Sequence, residues 1–141
     1  MILNLALGIG LMLITLFFQL HVLVLSLQWL QNHPLKTPAS ALVAGYYRLG
    51  TVMLILLLGN LLQIALWALL FQLLGEFEHF ADAFYHSTVN FATLGYGDIV
   101  LSKPHRLLGA LEAVNGILMI GITSAAVVKA LGLLLTPPER D

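Results

Sequence analysis

The chain has 141 residues, of which 60% are hydrophobic and only 9% charged, with a net charge of −1. An ordinary soluble domain carries about 25% charged residues, so the composition excludes that class, and the near-zero net charge gives nucleic acid no basic face. The absence of cysteine removes disulfides and thiolate metal sites, and the length excludes several domains.

The first predicted element runs from Ile2 to Leu30. It lacks a basic n-region and a small-x-small cleavage site, and its apolar run is too long for a signal peptide. It reads as a retained helix. Gly8 and Gly10 are placed for close helix packing, and Gln19 and His21 for interhelical hydrogen bonds. Gln31–Ala44 follows as a linker containing Pro34, Lys36 and Pro38. Thr37 is a candidate N-cap with Pro38 at the first helical position. Tyr46, Tyr47 and Arg48 are suited to the headgroup level. They open a second span, Tyr46–Leu74, which carries Asn60 and Gln63.

Gly75–Arg106 connects this span to the third. Asp82 is a candidate cap for a short helix over 83–92. The sequence Thr93-Leu94-Gly95-Tyr96-Gly97-Asp98 then predicts an extended segment. The third span, Leu107–Leu135, holds Glu112, Gly116 and Gly121-Ile122-Thr123-Ser124, and Thr136-Pro137-Pro138 ends it. Each span exceeds the roughly 20 apolar residues that cross a bilayer, and none has an internal proline. Glu112 lies about two turns into its span, where a carboxylate needs a partner. Ser87, Thr88 and Asn90 are the candidates. Lys129 is placed to snorkel to the headgroups.

Residues 93–98 carry the strongest chemical signal. A dehydrated cation in a low-dielectric medium needs oxygen ligands to replace its lost water. Backbone carbonyls supply them if all point the same way, and Gly95 and Gly97 permit the dihedrals this requires. The hexapeptide resembles the selectivity filter of potassium channels, Thr-Val/Ile-Gly-Tyr-Gly-Asp. From about residue 46 onward the chain resembles the bacterial two-helix pore module of that superfamily. Residues 1–31 lie outside the resemblance as an accessory transmembrane helix.

The resemblance implies an all-α membrane protein with three transmembrane helices, and a re-entrant pore helix and extended filter between the second and third. Residues 32–45 would be an interfacial linker. Within a pore module at 46–136, an outer helix covers about 46–75, a pore helix about 82–92, the filter 93–98 and an inner helix about 106–135. A short tail, 137–141, follows. The backbone carbonyls of Thr93, Leu94, Gly95 and Tyr96, with the Thr93 hydroxyl, would bind K⁺, and Gly97 would complete the filter. Leu94 departs from the family's β-branched residue, and Ala92 replaces a second threonine. Phe84-Tyr85-His86-Ser87 lies where the family places an aromatic cuff on the pore helix. His86 stands where many members have a tryptophan bonded to the filter aspartate, which implies a pair with Asp98. Because histidine titrates near neutrality, that pair is a candidate pH sensor. A simply packed histidine is the other reading. Gly116 and Gly121 are rival hinges in the third helix.

The function implied is passive potassium conduction by a homotetramer in membrane lipid, with K⁺ as permeant ion, no cofactor and no catalysis. Basic residues favour a cell-membrane topology, bacterial inner membrane, with the N-terminus outside and the C-terminus cytoplasmic. Lys36, Arg48, Lys129 and Arg140 fall on one side, against Lys103 and Arg106 on the other. Glu76, Glu78, Asp82 and Asp98 make the outer side acidic. No arginine repeat suggests a voltage sensor, and no room for a cytoplasmic ligand-binding domain follows the third span. The alternatives are a nonselective cation channel, a single repeat of an uptake transporter, and a non-conducting scaffold or regulatory subunit.

Overall fold

The computed structural model describes residues 1–33 and 41–135. The expectations for Pro34, Lys36, Thr37, Pro38, Arg140 and the terminator at 136–138 fall outside the described residues. Among the described residues there are four helices: α1 (Ile2–Asn32), α2 (Ala41–Leu73), α3 (Phe80–Phe91) and α4 (Arg106–Leu135). α1, α2 and α4 are long and apolar enough to cross a membrane. At 1.5 Å per residue the 31 residues of α1 reach about 46 Å, against a hydrocarbon core of about 30 Å.

α1 inverts the pattern of a soluble helix. Its buried residues are Asn4, Gly8, Thr15, Gln19, Ser26 and Leu30, mostly small or polar and aligned on one helical stripe. Leu13, Phe17 and Leu25 point outward and are exposed. Lipid is as apolar as leucine, so contact between membrane helices comes from small side chains that allow close approach and from hydrogen bonds.

Those contacts set the arrangement. Asn4 Nδ2 donates to the Pro104 carbonyl, the Thr15 hydroxyl to Asn115 Oδ1 at 3.3 Å, and Gln19 Nε2 to Thr123 Oγ1 at 3.1 Å. The nearly constant offset makes α1 and α4 parallel. A Cβ on Gly8 would lie 2.4 Å from Leu111 Cδ1, so a larger residue would require the leucine side chain to shift, whereas Gly10 has open space around it. α2 runs the other way. Gln63 Nε2 donates to Gln19 Oε1 at 2.7 Å, Asn60 Nδ2 to Thr123 Oγ1 at 3.2 Å, and Arg48 Nη2 to the Leu30 carbonyl at 2.8 Å. Arg48 thus serves the end of α1, where helix carbonyls lack partners. His21 turns outward and bonds only the Phe17 carbonyl of its own helix.

α3 has 12 residues, about 18 Å, and is too short to cross. Its N-cap is His79. Asp82, the expected cap, sits instead in the first turn. Its charge still complements the helix N-terminus. Ile64 of α2, Phe91 of α3 and Met119 of α4 form a shared core, with Phe84 packed against it, that seats α3 between α2 and α4.

A clasp closes the return from α3 to α4. The Glu76 carboxylate accepts the Ser102 N–H at 2.7 Å, the Ser102 hydroxyl, and His105 Nδ1. Burial alone would raise this carboxyl, but the bonds from His105 and Ser102 outweigh it and hold Glu76 below the usual range. A carboxyl lowered by folding contributes stability above its unfolded value and loses it as pH falls through its folded value. Stability should therefore decline below about pH 4. Glu76→Gln should flatten that decline in thermal unfolding in micelles, and an unchanged acid limb would refute the role.

Candidate functional site

The site begins where α3 stops. The Thr93 N–H donates to the Asn90 carbonyl at 2.8 Å and the Leu94 N–H to the Val89 carbonyl at 2.9 Å. This pair of bonds is a Schellman cap, which places its C′ residue in the left-handed region, usually as glycine. Here the residue is Thr93, with φ +58°. A β-branched residue at such an angle is a genuine outlier.

The sign of φ then alternates. Gly95 (+58°) and Gly97 (+73°) are positive, and Leu94 and Tyr96 are not. In an ordinary strand successive groups face opposite sides. Alternation of left- and right-handed residues gathers N–H groups on one side and leaves the carbonyls to the other. A Cβ on Gly95 or Gly97 would meet nothing within 4 Å, so their glycines answer to dihedral angle and not to crowding. Every residue from Ala92 to Asp98 is exposed in the protomer.

The outer end is held by Tyr85, whose hydroxyl donates to Asp98 Oδ2 at 2.7 Å. That bond keeps Asp98 below the usual carboxylate range and raises the Tyr85 phenol. The expected His86–Asp98 pair does not form. Tyr85, one residue earlier on the helix, takes Asp98, and His86 is turned inward and buried. His86 Nδ1 lies 3.2 Å from the Ile99 carbonyl, and its ring packs against Phe71 and Phe77. Burial lowers the His86 pKa, against weaker opposing pulls from Ile99, Asp98 and Glu76.

Behind the segment, Asn90 Nδ2 lies 2.9 Å from His86 Nε2 and donates to Glu112 Oε2 at 3.2 Å. The Ser87 hydroxyl sits beside the same carboxylate. Thr88, the third candidate partner, bonds the Phe84 carbonyl instead. Glu112 is fully buried and fastens α4 to α3. Lower down, a Cβ on Gly116 would lie 2.0 Å from the Phe91 carbonyl oxygen, while one on Gly121 would meet nothing. The two glycines expected as rival hinges therefore differ in surroundings. Gly116 permits the end of α3 to touch α4, and Gly121 stands free.

Thr93 to Asp98, Tyr85, His86, Glu112 and Gly116 are thus brought into one region, and Gly121 lies further along α4. The left-handed Thr93 gave no signal in sequence, because glycine is the residue that announces such a cap. Asn90 was legible only as one of three partners for Glu112. Its spacing of four from His86 on a helix was the available clue to the second contact.

The family model described as ion channel matches residues 51–132. Neither a curated protein nor a solved structure matches the chain.

Proposed function

This chain belongs to the ion channel family, and from that premise we propose that it forms a potassium-selective channel as a homotetramer. The alternating φ of Thr93, Gly95 and Gly97 carries the reading, because it is the backbone form that offers consecutive carbonyls to one ion path. The carbonyls of Thr93, Leu94, Gly95 and Tyr96 and the Thr93 hydroxyl bind K⁺, with Gly97 at the outer end of the filter. α3 is the re-entrant pore helix. Phe91 meets α4 at Gly116, about 15 Å below the start of that helix at Arg106, and so lies near mid-bilayer. Its C-terminal carbonyls favour a cation waiting below.

Assembly is supported by the exposure of residues 92–98. Irregular backbone at membrane depth is tolerated only when buried in protein or lining a cavity, and one protomer supplies neither. Closed cyclic symmetry provides both. The acidic outer mouth, with Asp98 held charged by Tyr85, concentrates cations. The N-terminus is outside, the C-terminus cytoplasmic, and the cell membrane is the site of action.

Purified protein in liposomes should pass K⁺ far faster than Na⁺ and be blocked by Ba²⁺. Equal K⁺ and Na⁺ permeability in a mixed-ion reversal measurement would replace this reading with a nonselective channel. No flux under any gradient would replace it with a scaffold.

A further inference from the structure

We propose that Asn90 is a positioning residue that fixes the proton of His86 on Nδ1, and that external acid uncouples α3 from α4 by reversing this arrangement. The inference rests on the channel reading for its effect on flux, but not for its structural content. The Asn90 amide nitrogen faces both His86 Nε2, at 2.9 Å, and Glu112 Oε2, at 3.2 Å. An amide nitrogen only donates, so His86 Nε2 accepts and carries no hydrogen. The one hydrogen of the neutral ring is then on Nδ1, where it meets the Ile99 carbonyl. A continuous line of bonds runs from the backbone next to Asp98, through His86 and Asn90, to the buried carboxylate of α4.

Taking up one proton from water places N–H groups on both ring nitrogens. Nε2–H then faces the Asn90 NH₂, donor against donor, in a buried place. The amide relieves this by rotating its oxygen toward His86, and Glu112 Oε2 loses its donor. Only a Glu112 that itself presents a hydroxyl hydrogen could keep the link. Otherwise the hydrogen-bonded link between α3 and α4 behind the filter is broken, while the packing of Phe91 on Gly116 remains.

A cleft of about 380 Å³, lined by His86, Asn90, Ile99, Val100, Arg106 and Ala110, gives water a route to the ring. The groups that face it are all accounted for. Tyr85 is on its own helix, occupied by Asp98. Asp98 and Glu76 pull toward protonation from the filter segment and the end of α2. Phe71 and Phe77 are neutral, and α4 contributes Glu112 and Arg106. Burial outweighs these pulls and lowers the His86 pKa, so the neutral, coupled form persists near pH 7 and yields only on the acid side of the ordinary histidine value of about 6.5.

The test uses the full chain, ¹⁵N-labelled at histidine, in lipid vesicles. At about pH 7.5 the His86 ring should give the Nδ1–H signature in nitrogen NMR, assigned by its loss in His86→Gln. An Nε2–H signature overturns the proposal, whatever the channel does. In the same vesicles K⁺ flux should fall as external pH drops below the ordinary histidine value of about 6.5. Asn90→Asp, which accepts from Nε2–H, should move that midpoint up by about one pH unit or more. His86→Gln should flatten the profile whatever its absolute flux, which also separates His86 from His105 should Asn90→Asp fail to fold. An unmoved midpoint in Asn90→Asp, or an unchanged profile in His86→Gln, refutes it. If the wild type passes no K⁺ at any pH while the Nδ1–H signature stands, the channel reading fails and the tautomer assignment survives.

Discussion

Gly116→Ala is expected to destabilise the protein by about 3 kcal/mol or more, the upper end of overpacking costs. The added methyl would sit 2.0 Å from the Phe91 carbonyl oxygen and 2.7 Å from its carbon. Both are backbone atoms at the end of a helix whose cap is already set by the Schellman bonds. No rotamer change relieves the clash, so α3 must move bodily away from α4. That shift would drag Asn90 from Glu112 and tilt the segment that begins at Thr93. Gly121→Ala is the matched control. Its Cβ meets nothing within 4 Å, and alanine gains up to about 1 kcal/mol over glycine in a helix interior. It should therefore be neutral or stabilising. Thermal aggregation midpoints in detergent would compare the two. Similar midpoints would mean that α3 and α4 do not approach as described. The contrast concerns packing: Gly116 lets the end of α3 touch α4, and Gly121 does not take part in that contact.

Gly95→Ala and Thr93→Gly are expected to move stability in opposite directions while both impair conduction. At Gly95 the chain requires φ +58° with open space around the Cα. Alanine pays only the left-handed penalty, about 1–2 kcal/mol per protomer. Given a fourfold ring, that strain is imposed on every strand of the ion path, and K⁺ flux should be lost. Thr93 already bears this penalty as a β-branched residue. Thr93→Gly removes it and should stabilise each protomer by about 1 kcal/mol, net of the greater freedom of glycine in the unfolded chain. The hydroxyl goes with it, and with it the innermost oxygen ring proposed for K⁺. A more stable, poorly conducting variant is the expected outcome. Strain kept where a better-tolerated residue exists is a mark of function. If Thr93→Gly conducts as well as wild type, the hydroxyl is not a ligand. If it is less stable, Thr93 is not strained.

The division between what was legible in the sequence and what was not follows the range of the forces involved. Spanning length depends on local hydropathy, and all three spans appear as α1, α2 and α4. The glycines of 93–98 are a local statement about dihedrals, and Gly95 and Gly97 do adopt positive φ. The ends of α3 were harder. Asp82 is a good cap by residue type, but helix boundaries turn on a few competing bonds, and His79 took the position. The polar residues of α1 marked a contact face without saying what it touched.

Only the tertiary structure decided the partners. Gln19 meets Gln63 and Thr123, Glu76 meets Ser102 and His105, and Gly116 meets the Phe91 carbonyl. Tyr85 took the partner expected for His86 because adjacent helical residues point about 100° apart, so an error of one position sends a side chain inward instead of toward Asp98. The sequence by itself determined three helices long and apolar enough to cross a membrane and the positive φ of Gly95 and Gly97, since both properties reside in consecutive residues. Which side chains support that segment depended on close approach and hydrogen bonds between residues far apart in the chain, and those exist only once the helices have packed.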